Sequence, residues 1–78
     1  MLRGIVTGKV WATKKSAALT GQTFLQVAVS GGTTLVCADC VGAGEGEAVL
    51  VATGTAARVA AGQEIPVDAA IVGILDND

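Results

Sequence analysis

The sequence predicts an all-β fold: a small barrel of five strands with one short helix before the last strand. Three observations carry this. Residues 2–12 alternate with a period of two, the spacing of a strand that lays one face on a core. Four more apolar runs follow, separated by glycine-rich or polar stretches that read as turns. Only residues 55–62, rich in alanine and ending on a glycine, carry helix punctuation instead.

In the first strand, Leu2, Gly4, Val6, Gly8, Val10 and Ala12 form the core-side set, and Arg3, Ile5, Thr7, Lys9 and Trp11 the outer set. Gly4 and Gly8 on the core side permit a bend or a close approach of backbone. Residues 13–21 are small and polar, a connection. Residues 23–29 form the second strand, and Ser30-Gly31-Gly32 turns the chain because glycine tolerates positive φ. Residues 34–41 are the third strand and residues 47–52 the fourth, joined by a glycine-rich corner. Thr55 as a cap, alanines of high helix propensity and Gly62 as a stop predict a helix of about two turns. Residues 63–66 form a loop, residues 69–75 are a wholly apolar fifth strand, and Asp76-Asn77-Asp78 ends the chain. This order is OB-like in outline. With no repeat or linker, residues 1–78 read as one domain.

At 78 residues the chain is near the lower limit for a self-supporting core. Its apolar residues are mostly Ala and Val, with one Trp, one Phe and no Tyr. Small side chains bury little area at roughly 25 cal/mol per Å². Such domains gain stability from disulfides, a metal or partner subunits. The first two are poorly supplied here, so self-association is expected. The net charge of −2 argues against a nucleic-acid partner, because counterion release needs clustered Lys and Arg. The one basic pair, Lys14-Lys15, reads as a solvated turn. No apolar run approaches the roughly 18 residues of a membrane span, and the start lacks a signal-peptide pattern. No membrane partner is expected. Two cysteines without an export signal predict a cytosolic, reduced setting.

Three chemistries need weighing. Gly42-Ala43-Gly44-Glu45-Gly46-Glu47 partly matches the dinucleotide fingerprint G-x-G-x-x-G, but Glu47 stands where the third glycine belongs. A Val-rich strand follows in place of the helix whose N-terminus meets the phosphate, and two carboxylates would repel it. The reading preferred is a glycine-dependent corner, with Glu45 and Glu47 in solvent or against a neighbouring subunit. If Gly44 holds a positive φ, Gly44→Val disturbs that corner. Cys37-Ala38-Asp39-Cys40 matches C-x-x-C, yet residues three apart in a strand face opposite ways, and no histidine completes a zinc set. Both cysteines are read as small buried hydrophobes. For catalysis, Ser16 and Ser30 lack a nearby base, and the spacing of Glu45, Glu47, Glu64, Asp68 and Asp76 singles out no acid–base pair. Asp68 and Asp76 read as turn formers or as a partner for Arg58. No catalytic residue, metal ligand or cofactor is assigned.

Taken together, several blocks resemble the pentameric vertex proteins of bacterial microcompartment shells, the family of carboxysome and ethanolamine-utilisation vertex proteins. They are Gly8-x-Val10, Thr13-x-Lys15, and Leu19-x-Gly21 leading to Phe24-Leu25-x-Val27. The most specific runs from Asp39-x-Val41-Gly42-Ala43-Gly44-x-Gly46-Glu47 to Val49-Leu50-Val51, followed by Gly54-Thr55-Ala56-Ala57-Arg58. Pro66-Val67-Asp68-Ala69-Ala70 and Gly73-Ile74-Leu75-Asp76 complete the set. The family commonly has Ser at one or both middle places of the Gly54 block. Many members also continue past the last strand, and the Ser30-Gly31-Gly32 hairpin is short beside their variable loop.

The resemblance implies a barrel that closes into a cyclic homopentamer and caps the vertices of a polyhedral shell beside hexameric shell proteins, in the bacterial cytoplasm, without enzymatic activity. It implies that Gly42, Ala43, Gly44, Glu45, Gly46 and Glu47, with Gly54, Thr55, Ala56, Ala57 and Arg58, build or border the subunit interface or the five-fold axis. Two other classes compete. An OB-like binding module for nucleic acid or a small ligand needs a basic groove with stacking aromatics, for which only Trp11 and Phe24 are present. A metal or redox module would rest on Cys37 and Cys40.

Overall fold

The computed structural model describes residues 1–76; the expectation for Asn77 and Asp78 lies outside them. The strands are β1 (Leu2–Val10), β2 (Phe24–Val29), β3 (Thr34–Asp39), β4 (Ala48–Thr53) and β5 (Ala69–Ile74), with helix α1 (Thr55–Ala61) between the last two. A 3-10 turn over Ala17–Leu19 interrupts the first connection, its start held by the Ser16 hydroxyl accepting from the Ala18 amide. The strands close into a barrel in the order β1-β2-β3-β5-β4, with β4 returning to β1. Every pairing is antiparallel except β3 with β5.

Why the chain closes follows from which side chains face inward. Val6, Leu25, Val27, Val29, Cys37, Val49, Val51, Ala69 and Ile71 form the barrel interior. A second, smaller cluster lies outside the wall, where Ala57 of α1 meets Ala38 and Ala70, bordered by Phe24, Ala61, Val67 and Val72. Alanine at the contact lets helix and strands approach closely. Among the described residues, no polar or charged side chain is buried, so the interior needs no internal hydrogen bonds.

The alternation expected for β1 holds only in its first half. Gly4 pairs with Val29 and Val6 with Val27, both on the core side. The register then shifts between Val6 and Gly8, so that Lys9 pairs with the core residue Leu25 and Val10 with Phe24, which faces the helix cluster. One extra residue in a ladder switches the faces of everything beyond it. Gly8 and Val10 therefore leave the core-side set in which the period of two puts them. Gly4 earns its place by proximity: a Cβ there would lie 2.5 Å from Val27 Cγ1 and 2.8 Å from the Ala28 carbonyl oxygen.

The helix is also capped differently. Gly54, with φ 62°, is its N-cap and Thr55 already lies in its first turn, so the threonine cap is not found. The Gly54 amide donates to the Asp68 carbonyl at 2.9 Å, which ties the end of β4 to the start of β5, and its positive φ suits glycine. Gly62 ends the helix as expected, its amide donating to the Arg58 carbonyl at 2.8 Å.

Candidate functional site

The corner after β3 is organised by carboxylates of the chain itself. Asp39 ends the strand two residues earlier than the apolar run suggests, because its side chain bends the backbone that follows. Its Oδ1 accepts from the amides of Val41 (3.2 Å), Gly42 (3.0 Å) and Ala43 (3.2 Å), and its Oδ2 from Ala43 at 3.1 Å. The next amide, Gly44, donates to Glu47 Oε1 at 2.6 Å, while the Glu47 amide donates back to the Gly44 carbonyl at 3.1 Å. Four consecutive N–H groups thus already hold anions. An incoming phosphate would have to displace two carboxylates, so the loop is no phosphate cradle.

Glycine is required at two of its three positions in this loop. Gly42 (φ 79°) and Gly46 (φ 87°) lie in the left-handed region, whereas Gly44 does not. The strain argument for Gly44→Val therefore moves to its neighbours. Gly46 sits where the chain rejoins the barrel, its amide donating to the Val6 carbonyl at 2.8 Å and Val6 donating to the Glu47 carbonyl at 3.0 Å. Ala43 packs against the barrel interior. Glu45 is exposed as expected, and Glu47 is half-buried, its Oε1 turned back to the Gly44 amide.

The second segment, residues 54–58, lies at the other end of β4. Six strand residues separate the two segments by about 20 Å, so a single subunit does not bring them together. Ala57 is fully buried under α1, while Thr55, Ala56 and Arg58 are exposed. Among the described residues Arg58 pairs with no carboxylate: its Nη2 donates to the Gln63 carbonyl at 3.2 Å, fastening the loop behind the helix.

The two thiols diverge. Cys37 lies in the barrel interior, where burial, with Asp68 adding a smaller repulsion, pushes its pKa up to about 11. Cys40 stands exposed past the strand end, against the expectation that both are buried, and desolvation and Asp39 raise its pKa too. Redox and metal-binding cysteines need the opposite shift, towards thiolate. Among the described residues, no three His, Cys, Asp or Glu side chains gather as a metal site. The aromatics do not form a stacking platform either. Trp11 is 81% exposed with Lys9 Nζ 5.1 Å from its ring centroid, whereas Phe24 is half-buried against the helix cluster.

Reading the sequence for chemistry missed the outer wall. β4, AVLVAT, is apolar at both alternations, and Ile5 beside it is 46% exposed. Its signal was the missing alternation in residues 48–52. Asp39 was also missed as the loop's organiser, although an Asp before a glycine corner is an Asx-turn signature.

Comparison with known proteins gives the arrangement a context. Residues 1–76 match the family described as ethanolamine utilisation protein EutN/carboxysome. The chain is 43% identical to the bacterial microcompartment shell vertex protein GrpN of Rhodospirillum rubrum, across 99% of this chain and 94% of that one. It is 46% identical to the carboxysome shell vertex protein CcmL of Thermosynechococcus vestitus, across 92% and 80%. Its fold superposes on the GrpN pentameric microcompartment shell protein with a TM-score of 0.87 at 41% identity, covering 99% of this chain and 95% of that one. For the ethanolamine utilization protein EutN the TM-score is 0.90 at 31% identity, covering 100% and 88%. The five-stranded barrel is thus shared along nearly its whole length, and the chain belongs to the EutN/carboxysome family of microcompartment shell vertex proteins.

Proposed function

We propose that this chain is a structural shell protein whose copies close into a homopentamer, and that the pentamer caps the vertices of a polyhedral microcompartment in the bacterial cytoplasm. The observation that carries this reading is the end-to-end likeness to a pentameric shell protein at 41% identity. The physical task is geometric. Flat six-fold tiles cover a plane but cannot close it, and a five-fold unit at each corner supplies the curvature. A ring of five needs a head-to-tail interface, with two different surfaces on every subunit. Hexameric shell proteins are its partners at the rim. The carboxylates of Asp39 and Glu47 are engaged by the corner's own backbone, which supports a scaffolding role for it.

Within the ring, Gly42, Ala43, Gly44, Glu45, Gly46 and Glu47 shape a rigid corner that borders a neighbour or the axis. Gly54, Thr55, Ala56 and Arg58 present a second bordering surface, with Ala57 holding the helix from inside. Co-expression with hexameric shell proteins tests the function. Closed polyhedra are expected when this chain is present, and open sheets or tubes when it is omitted. Shells that close equally well without it would overturn the reading.

A further inference from the structure

The barrel is closed least completely between β3 and β5, where only Ala38 and Asp39 find partners, Ala70 and Ile71. Ahead of them β3 has a neighbour on one side only. The Val29 amide donates to the Thr33 carbonyl and the Asp39 amide to the Thr23 carbonyl. Bonded pairs alternate along an antiparallel ladder, so between these two ends Val27–Leu35 and Leu25–Cys37 carry the bonds to β2. Thr34 and Val36 therefore turn their N–H and C=O groups the other way, where among the described residues no strand meets them. Free edges are usually blunted by charge, proline or a bulge. Residues 34–36 have none of these, and Val36 is 51% exposed. A groove of about 470 Å³ runs along this edge, with Thr53, Gly54, Asp68 and Ala69 as its far wall. Its one charged residue is the exposed Asp68, and no cation lines it.

The same chain leaves one stretch without a place. Residues 11–16 are exposed throughout and lie outside every strand and helix. Among the described residues, they make no backbone hydrogen bond before the Ser16 carbonyl, so nothing of that kind holds the bend at Thr13 and Lys14. Their only charges are Lys14 and Lys15. Lys15 lines a concavity with Lys9 and Trp11, whereas Lys14 does not. That concavity is bounded by Gln22, Thr23 and Phe24, across β2 from the free edge, so a chain does not fill its own groove.

We infer that, within the ring proposed above and resting on that reading, residues 12–15 of one copy straighten and add as a sixth strand to the edge of residues 34–36 of the next, with Lys14 against Asp68. Backbone hydrogen bonds supply the pairing, as in other cases of strand addition, and the ion pair fixes the register. The occupant is a second copy because the edge calls for an extended segment and Asp68 for a cation, and this stretch offers both. Joining two β3 edges to each other would also fill the groove, but it would make a two-fold dimer and leave Asp68 without a cation.

Hydrogen exchange followed amide by amide tests this, with native mass spectrometry across a dilution series giving the concentration for half-assembly. The Thr34 and Val36 amides should exchange about tenfold or more slowly in the ring than in protein diluted until it dissociates. Val36→Pro removes an N–H that the ladder with β2 does not use. It should stay folded by circular dichroism and need about tenfold more protein to assemble, while Val36→Thr should assemble like wild type. Lys14→Asp and Asp68→Lys should each weaken assembly by a similar factor, and the two combined in one chain should recover it. Should Val36→Pro not fold, the exchange rates and the charge variants decide. Equal exchange of the two amides in ring and dissociated chain, single charge variants that assemble like wild type, or a double variant no better than either single would each overturn this contact. So would a folded Val36→Pro that assembles normally, or a dominant dimer with these amides protected. A pentameric wild type with an unprotected edge removes only the contact; a monomeric wild type removes the proposed function with it.

Discussion

Asp39 shows how one side chain can decide between two functions for the same loop. Its carboxylate and that of Glu47 accept from the four amides of residues 41–44, and a loop whose donors are already used has none to offer a ligand. The glycines divide accordingly. Gly46, at φ 87°, needs to be glycine, whereas Gly44 is outside that region and a Cβ there would meet Glu47 Oε1 at 3.4 Å, close to ordinary contact. Gly46→Val is expected to cost about 1–2 kcal/mol or more, and Gly44→Val less than half as much. Thermal unfolding of the two variants side by side checks this, and an equal or larger loss for Gly44→Val would contradict it. Residue types made the corner legible, since three glycines in five residues announce a turn. Which glycines carry a positive φ was not legible, because for Gly46 that depends on where it meets Val6 across the barrel.

At the scale of elements, strand β3 sorts its cysteines by geometry alone. Cys37 lies within the strand and faces the interior; Cys40 follows its end and is exposed. A thiol reagent at neutral pH should therefore modify Cys40 in the folded protein and reach Cys37 only on unfolding. Cys37 also gives the fold an alkaline limit. Its pKa rises from 9.0 to about 11 on folding, so below pH 9 both states keep the proton and stability is unaffected. Between pH 9 and about 11 only the unfolded chain loses it, and stability falls by up to about 2–3 kcal/mol. Denaturant unfolding across that window should show the decline, and in Cys37→Ala, less stable at neutral pH, the contribution should vanish. An unchanged slope in that variant would assign the decline to other groups. Five strands and a helix were readable from apolar runs and turn residues. The bulge at residues 6–8 was not, since Gly-Lys-Val-Trp continues the alternation without a break and only pairing with β2 reveals the slip. The helix cap was misplaced because Thr55 is a good cap in isolation, while the link from Gly54 to Asp68 belongs to the closed barrel.

For the whole molecule, the decisive feature is that a core of small side chains is surrounded by a surface on which several large apolar side chains stay exposed. The interior of Val, Ala and Cys with single larger residues such as Leu25 and Ile71 buries modest area, and Ile5, Val36, Val41 and Val59 remain exposed. Composition alone pointed to self-association, and the family resemblance supplied its form. The two segments singled out in the sequence sit at opposite ends of β4, so a single subunit does not bring them together. The central claim is that copies of this chain form a closed ring of five, and the mass of the assembled, untagged protein under native conditions at low micromolar concentration tests it most directly. The account predicts one dominant species containing five 7.7 kDa chains; a persistent monomer, or a dominant ring of any other number, would contradict it.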